Sequence, residues 1–240
     1  MAAARLGSPP LARGNPWTDR LWAADGGLTP ARAGKPVRVH EISDGQAEQA
    51  AREYADMHEN TVFVEDGQHP RISEGAGTIG VELLAAGEID TVVLPVGDGA
   101  LITGVARWIK EHAPDTRIVG VCAKGTASMA ESWRAGRVLP TERADTFAEG
   151  IAISSPISES VARMRLLVDD MVVVDDADIL AAMRTALATL GVLPEPAGAA
   201  GLAAIATHDV PGEVLATAVT GANVATSLFG DVLTVTEVSH

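Results

Sequence analysis

The regular alternation of short apolar runs with longer segments of helical periodicity most constrains how this chain can fold. Residues 91–96 read T-V-V-L-P-V and residues 117–121 read R-I-V-G-V, so both runs are apolar at almost every position. Strands of a parallel sheet that is covered on both faces show continuous runs of this kind, whereas half-exposed strands alternate apolar and polar residues. The alternation therefore predicts βαβ units built around a parallel sheet.

The same pattern extends along most of the chain. Strands are predicted at residues 37–39, 61–64, 91–96, 117–121, 171–174 and 213–219. Helices are predicted at residues 44–58, 73–86, 101–112, 126–135, 158–168, 176–190 and 197–207. Ser73 has the side chain of an N-cap and is predicted to cap the second of these helices. The order predicts an α/β fold in which a parallel sheet lies between helical layers, a three-layer αβα architecture.

Composition excludes several classes of function. The chain has 240 residues and a formal net charge of −14, and this acidic balance argues against nucleic-acid and anionic-membrane partners. Cys122 is the single cysteine, so no intrachain disulfide and no cysteine-based zinc cluster can form. The six histidines show no metal-ligand spacing, and no secretory signal or long apolar span is evident, so we expect a cytoplasmic protein.

Three predicted strand ends carry unusual residues, and ligands of open α/β sheets bind beyond such ends. Gly97-Asp98-Gly99-Ala100-Leu101 joins a buried strand to a helix, and by itself it fits a tight turn as well as a phosphate-binding loop. Glu195 stands at the start of a helix, where a carboxylate is favourable without any ligand. Thr220 follows the last strand, and its hydroxyl fits a turn or a cap at least as well as a ligand contact.

Five segments in a fixed order resemble the fold-type II pyridoxal-phosphate (PLP) enzymes, the threonine and serine dehydratases and their relatives. The segments are residues 75–82 (GAGTIGVE), 94–104 (LPVGDGALITG), 144–152 (ADTFAEGIA), 195–199 (EPAGA) and 220–224 (TGANV). The resemblance spans residues 36 to about 225. It implies the tryptophan-synthase-β-like architecture of that family and pyridoxal 5'-phosphate as cofactor.

The resemblance also assigns cofactor contacts to the strand-end residues. Residues 97–101 (Gly97, Asp98, Gly99, Ala100, Leu101) correspond to the family's glycine-rich loop that cradles the phosphate, although the family usually has glycine where Asp98 and Ala100 stand. Thr220 corresponds to the hydroxyl that hydrogen-bonds the pyridine nitrogen, and Glu195 to a glutamate close to the ring. The family's cation-binding carboxylate is replaced here by C-A-K at 122–124, so no metal site is expected.

The family's Schiff-base lysine motif, Ser-x-Lys-x-Arg, has no counterpart in this sequence, and no catalytic residue is assigned. The chain contains only Lys35, Lys110 and Lys124, and we interpret all three as solvated surface charges. The resemblance thus implies an N-terminally truncated family member. Residues 1–35 are predicted to be irregular, residues 36–75 to be a remnant of the family's smaller domain, and residues 76–240 to be the core of the large PLP domain.

Two functional hypotheses follow from the resemblance. The first is a lyase that deaminates a hydroxy amino acid to a 2-oxo acid and ammonia, with this chain alone inactive for want of the lysine. The second is a non-catalytic binder of PLP or of another small phosphorylated ligand, or a partner of a full-length relative. A homodimer through the family's dimer surface is a further expectation.

Overall fold

The computed structural model of the protein describes residues 47–59, 61, 63 and 70–234. These residues fall into two compact units, one containing helix α1 (Ala47–Met57) and the other containing everything from residue 70 onward. The predicted strand at 37–39 and most of the one at 61–64 lie outside the described residues. The predicted domain division at residue 75 stays a prediction, and residue 75 itself lies inside a helix.

The first unit is described through α1 and its immediate neighbours. The rings of Tyr54 and His58 stack with their centroids 3.9 Å apart, and His58 Nδ1 lies 2.8 Å from the Tyr54 carbonyl oxygen. The Arg52 guanidinium carbon lies 4.4 Å from the centre of the Phe63 ring, within the range of a cation–π contact. These contacts hold the C-terminal half of the predicted helix at 44–58.

A four-stranded parallel sheet forms the centre of the second unit. Its strands are β1 (Thr91–Pro95), β2 (Arg117–Ala123), β3 (Asp170–Val174) and β4 (Leu215–Thr217). They lie in the order β3-β2-β1-β4, and every neighbouring pair is parallel. β1 is buried along its whole length, as its continuous apolar sequence predicts.

Helices cover the sheet on both faces. They are α2 (Pro70–Ala85), α3 (Ala100–His112), α4 (Ser128–Ala135), α5 (Ser158–Leu167), α6 (Asp176–Leu190), α7 (Pro196–Thr207) and α8 (Leu228–Leu233). Val93 and Val119 face a core shared with α6 and α7, whereas Val92 and Ile118 face a second core shared with α3, α4 and α5. The predicted three-layer αβα architecture is confirmed.

Three local predictions were wrong in detail. Ser73 does not cap α2, because the helix already begins at Pro70, a favoured first residue; Ser73 is buried one turn further on, where α2 crosses α3. The last strand covers only Leu215–Thr217, because the amides of Glu213 and Val214 donate to the Asp90 carboxylate. The helix expected at 126–135 begins as a separate 3-10 turn and becomes α-helical only at Ser128.

Candidate functional site

A cavity of about 150 Å³ lies at the carboxyl edge of the sheet, beyond the ends of β1 and β4. Its lining residues come from four separate stretches of the chain: Pro95, Gly97, Asp98, Gly99, Ala100, Leu101, Gly150, Ile151, Glu195, Ala197 and Thr220. All seven residues singled out from the sequence are among them, but the expectation that Glu195 follows a strand was wrong, because it lies between α6 and α7. Lining residues up to 125 positions apart in sequence, Pro95 and Thr220, therefore meet at one place, where parallel strands direct their carboxyl ends.

The turn between β1 and α3 forms one wall of this cavity. Gly99 has φ of 94°, a left-handed conformation that a side chain would strain, and a Cβ there would lie 2.6 Å from Ser160 Oγ. Ser160 Oγ donates a short hydrogen bond to the Asp98 carbonyl oxygen. A Cβ on Gly97 would lie 2.6 Å from the Gly150 carbonyl oxygen. The turn is thus fixed in shape by α5 on one side and by the 149–151 segment on the other.

The start of α3 presents backbone N–H groups to the cavity wall. The first helical hydrogen bond runs from the Thr103 amide to the Gly99 carbonyl oxygen at 3.1 Å, so the amides of residues 100–102 precede it. The Ala100 amide donates to Asp98 Oδ1 at 3.2 Å. The amides of Leu101 and Ile102 have no helical acceptor and carry the positive end of the helix dipole. This geometry suits an anion, with one of its donors already engaged by a carboxylate.

Glu195 is fixed between the start of α7 and the turn after the last strand. Its side-chain Oε2 accepts the Asn223 amide at 3.3 Å, and its own amide donates to the Gly221 carbonyl oxygen at 3.2 Å. Gly221 has φ of 67°, and a Cβ there would lie 2.1 Å from the Glu195 carboxyl carbon. Glu195 therefore stands at the start of α7, as the helix-start interpretation expects, and it also lines the cavity.

Thr220 lies on the far side of the cavity from α3 and is held through its backbone. A Cβ added to Gly198 would lie 1.6 Å from the Thr220 carbonyl oxygen, so α7 packs directly on this residue. Within residues 70–234 the Thr220 hydroxyl makes no hydrogen bond with another protein group, and the residue is half-buried. The hydroxyl is therefore available to a ligand, whereas the cap or turn bond considered from the sequence is not formed.

The 144–152 segment reaches the cavity through an anchor on α6. Thr146 Oγ1 donates to Asp176 Oδ1 at 2.6 Å, and the Phe147 amide donates to Asp176 Oδ2 at 3.1 Å. These bonds set the following residues, Gly150 and Ile151, against the β1–α3 turn. Gly150 and Ile151 belong to a segment that resembles the family, and no site role was predicted for them, although the glycine in the motif was a usable signal.

Ser160 is the positioning residue that sequence reasoning missed. It is fully buried in α5, and its hydroxyl holds the backbone of the β1–α3 turn across 62 positions of sequence. A serine inside an amphipathic helix gives no sign of such a partner, so only the fold shows the contact.

The two described lysines lie outside the cavity lining. Lys124 is 70% exposed and pairs with Asp175 at 3.1 Å. Lys110 was expected to be solvated, and this was wrong: its side chain is only 24% exposed, pairs with Asp169 at 2.7 Å and donates to the Thr116 carbonyl oxygen at 2.9 Å. The pairing follows from the packing of α3 beside the loop before β3. Lys35 is outside the described residues.

The end of β2, where the family's cation site was considered, carries a buried thiol. Burial raises the pKa of Cys122 to about 12, so this group is a neutral packing residue at ordinary pH. Among residues 70–234 and the described part of the first unit, no three His, Cys, Asp or Glu side chains are grouped to hold a metal ion. The expected lack of a metal site stays a prediction. No described helix is both long and apolar enough to cross a membrane.

Comparison with known sequences shows the family to which this chain is similar. Residues 28–221 match the profile described as "Pyridoxal-phosphate dependent enzyme". The chain is 34% identical over 196 residues to the biosynthetic L-threonine dehydratase of Escherichia coli, covering 80% of this chain and 38% of that protein. It is 34% identical over 174 residues to the L-threonine ammonia-lyase of Thermotoga maritima, covering 72% of this chain and 43% of that protein. The chain therefore spans less than half the length of these relatives.

Solved structures show the same architecture. Threonine deaminase isoform 2 of Solanum lycopersicum superimposes with a TM-score of 0.70 at 31% identity, over 75% of this chain and 51% of that one. Maize serine racemase superimposes with a TM-score of 0.73 at 29% identity, over 82% of this chain and 62% of that one. The fold-type II architecture expected from the five sequence segments is confirmed.

Proposed function

Because the chain belongs to the pyridoxal-phosphate-dependent enzyme family, we propose that the cavity at the carboxyl edge of its sheet holds pyridoxal 5'-phosphate. The observation that carries the proposal is the convergence on one cavity of the turn after β1 (residues 97–101), the start of α7 (Glu195) and the segment after the last strand (Thr220). The whole-protein activity that the resemblance implies is deamination of a hydroxy amino acid to a 2-oxo acid and ammonia, with this chain as a lyase-like member of the threonine/serine dehydratase type.

The residues of the cavity fit the two polar ends of the cofactor. The amides at the start of α3 suit the phosphate, because they lack helical acceptors and lie at the positive end of the helix dipole. The Thr220 hydroxyl suits the pyridine nitrogen, because it makes no bond within the described part of the second unit. The Asp98 side chain opposes the fit, since its carboxylate engages the Ala100 amide, one of these donors.

In this proposal the protein binds and orients the cofactor through its own groups. The backbone amides of the β1–α3 turn would hold the phosphate, and the neutral Thr220 hydroxyl would meet the ring nitrogen without supplying a charge. Glu195, locked by Asn223 and Gly221, sets one edge of the ring pocket. The cofactor, when bound, supplies the electron withdrawal that elimination from an amino acid requires.

We further propose that the chain by itself binds the cofactor reversibly and does not turn over an amino acid. Neither Lys110 nor Lys124 lines the cavity, and both are engaged in ion pairs with aspartates. A lyase of this kind needs an amine that forms the covalent link to the cofactor and then moves the substrate proton. The expected cytoplasmic location and homodimer remain predictions.

The test is a PLP titration of the purified full chain, followed by borohydride reduction, intact-mass measurement and an assay for 2-oxo acid with L-threonine and L-serine. Exposed lysines react with PLP without a specific site, so Lys124→Arg serves as the matched control. We expect saturable spectral change in both proteins, no stoichiometric mass increase after reduction, and no 2-oxo acid.

Two results would contradict parts of this proposal separately. No saturable change at all would remove the cofactor assignment. A stoichiometric, reduction-fixed adduct together with 2-oxo acid would keep the cofactor and show that the chain is a working lyase, and peptide mapping would then identify the lysine.

A further inference from the structure

Residues 97–101, the turn after β1 and the first residues of α3, form the proposed phosphate cradle. This cradle differs from a simple anion site in one feature. A carboxylate, that of Asp98, already occupies an amide of the first turn of α3, since the Ala100 amide donates to Asp98 Oδ1 at 3.2 Å. We propose that Asp98 sets the ligand preference of the cradle by competing with the ligand's phosphate for this amide and by repelling its charge. The inference rests on the proposed cofactor site and deepens it.

The position of the Asp98 side chain follows from the backbone around it. Gly99 in its left-handed conformation turns the chain so that the carboxylate reaches the amide two residues ahead, as in an Asx turn. Ser160 Oγ holds the Asp98 carbonyl oxygen, and Gly97 packs against the Gly150 carbonyl oxygen. The contacts of Ser160 and Gly150 do not involve the Asp98 side chain, so they remain when that side chain is changed.

A carboxylate and a phosphate are stabilised at a helix start by the same amides and the same dipole. They therefore exclude one another at the Ala100 amide, and the second anion also meets the charge of the first. Even with the full screening of bulk water, two like charges about 4 Å apart weaken binding by about fivefold, and by more where the protein reduces the screening. The penalty falls on a phosphorylated ligand and spares its unphosphorylated analogue, so the natural cradle discriminates weakly between PLP and pyridoxal.

The experiment measures dissociation constants of inorganic phosphate, PLP and pyridoxal by calorimetry for the natural chain and three variants. Asp98→Gly removes both the charge and the acceptor, whereas Asp98→Asn removes the charge and keeps an oxygen that can accept the Ala100 amide. Asp115→Asn is the matched control, because it removes an exposed carboxylate from the loop that precedes β2, at the other edge of the sheet. Thermal melting verifies that each variant is folded.

We expect Asp98→Gly to tighten PLP and phosphate about tenfold, with pyridoxal unchanged within about twofold. Asp98→Asn should fall between the natural chain and Asp98→Gly, and Asp115→Asn should match the natural chain. If Asp98→Gly does not fold, Asp98→Asn alone tests the inference, because it preserves an oxygen that can accept the Ala100 amide. Equal or weaker PLP binding in the Asp98 variants would overturn the inference, as would pyridoxal tightening by the same factor.

The outcomes separate this inference from the proposed function. Binding by Asp98→Gly but not by the natural chain supports the role of Asp98 and removes PLP as the natural chain's cofactor. Binding by the natural chain with no gain in the variants supports the cofactor and overturns the role of Asp98. No binding of phosphate or PLP by any protein overturns both.

Discussion

The two edges of the central sheet differ in whether their polar groups are hydrogen-bonded within the protein or face a cavity. At the amino edge, the Asp90 carboxylate accepts the amides of Glu213 and Val214 at 2.8 Å each. There too, Asp169 accepts the Ile118 amide at 2.7 Å and pairs with Lys110. At the carboxyl edge, the Ala100 amide is engaged by Asp98, but the Leu101 and Ile102 amides have no helical acceptor, and the Thr220 hydroxyl in the cavity lining has no partner within residues 70–234.

This difference separates stability from ligand binding within one sheet. Polar groups that are satisfied inside the protein contribute to folding, and their removal leaves buried donors without acceptors. Polar groups that face a cavity have water as their partner until a ligand replaces it, so their removal affects binding more than folding. Substitutions at the amino edge should therefore lower the free energy of unfolding, and substitutions at the carboxyl edge should lower affinity.

Asp169→Ala should produce the largest loss of stability. It leaves the buried Ile118 amide without its acceptor and removes the ion-pair partner of Lys110, so the free energy of unfolding should fall by about 2 kcal/mol. Urea denaturation followed by circular dichroism measures the change. Asp169→Asn, which keeps an oxygen acceptor, should lose less, and PLP affinity should stay unchanged in both. A loss of affinity without a loss of stability would break the division between the edges.

Asp90 should make stability depend on pH in the acid range. Hydrogen bonds from the Val214 and Glu213 amides hold its pKa below the ordinary 3.8, so the folded state keeps the carboxylate more readily than the unfolded state does. Its stabilisation is present above the unfolded pKa and is lost as pH falls through the lower, folded pKa.

The measurement compares urea midpoints at neutral pH and near pH 3 for the natural chain and Asp90→Asn. The natural chain should lose more of its midpoint on acidification than the variant does. An identical loss in both proteins would mean that the Asp90 carboxylate does not contribute to the amino edge as described.

Thr220→Ala should have the smallest effect on folding. The hydroxyl makes no bond within the described residues 70–234, so the free energy of unfolding should change by no more than about 0.5 kcal/mol. PLP affinity should fall about fivefold, the amount expected for one lost neutral hydrogen bond of about 1 kcal/mol. Thr220→Ser retains the hydroxyl and should bind as the natural chain does. Equal affinity in all three proteins would remove Thr220 from the cofactor site.

The sequence predicted best those strands that are buried on both faces, because burial on both faces requires an apolar residue at almost every position. The runs at 91–96 and 117–121 became β1 and β2 within one or two residues for this reason. The strand predicted at 213–219 shortened because Asp90, more than 120 positions away, takes its first amides. Ser73 has the chemistry of a cap, yet tertiary packing placed it inside α2.

The same distinction between local sequence signals and tertiary packing applies to the candidate site. Residues 97–101 and 220 could be predicted to meet, because β1 and β4 are parallel and end at one edge of the sheet. Glu195 joins them from the start of α7, and its place was implied only by the family resemblance. The role of Ser160 could not be predicted, since it depends on a backbone contact made only after α5 has packed beside the β1–α3 turn. The engagement of Asp98 with the Ala100 amide was one of several orientations that the sequence left open.

The measurement that tests the central claim most directly is an amide chemical-shift map of the isotope-labelled chain during a PLP titration. The account predicts saturable shifts of the Gly97, Leu101 and Ile102 amides at the carboxyl edge, with the Ile118 and Val214 amides at the amino edge unmoved. Shifts at the amino edge, or scattered shifts near exposed lysines with the β1–α3 turn unmoved, would contradict a cofactor cradle at the carboxyl edge.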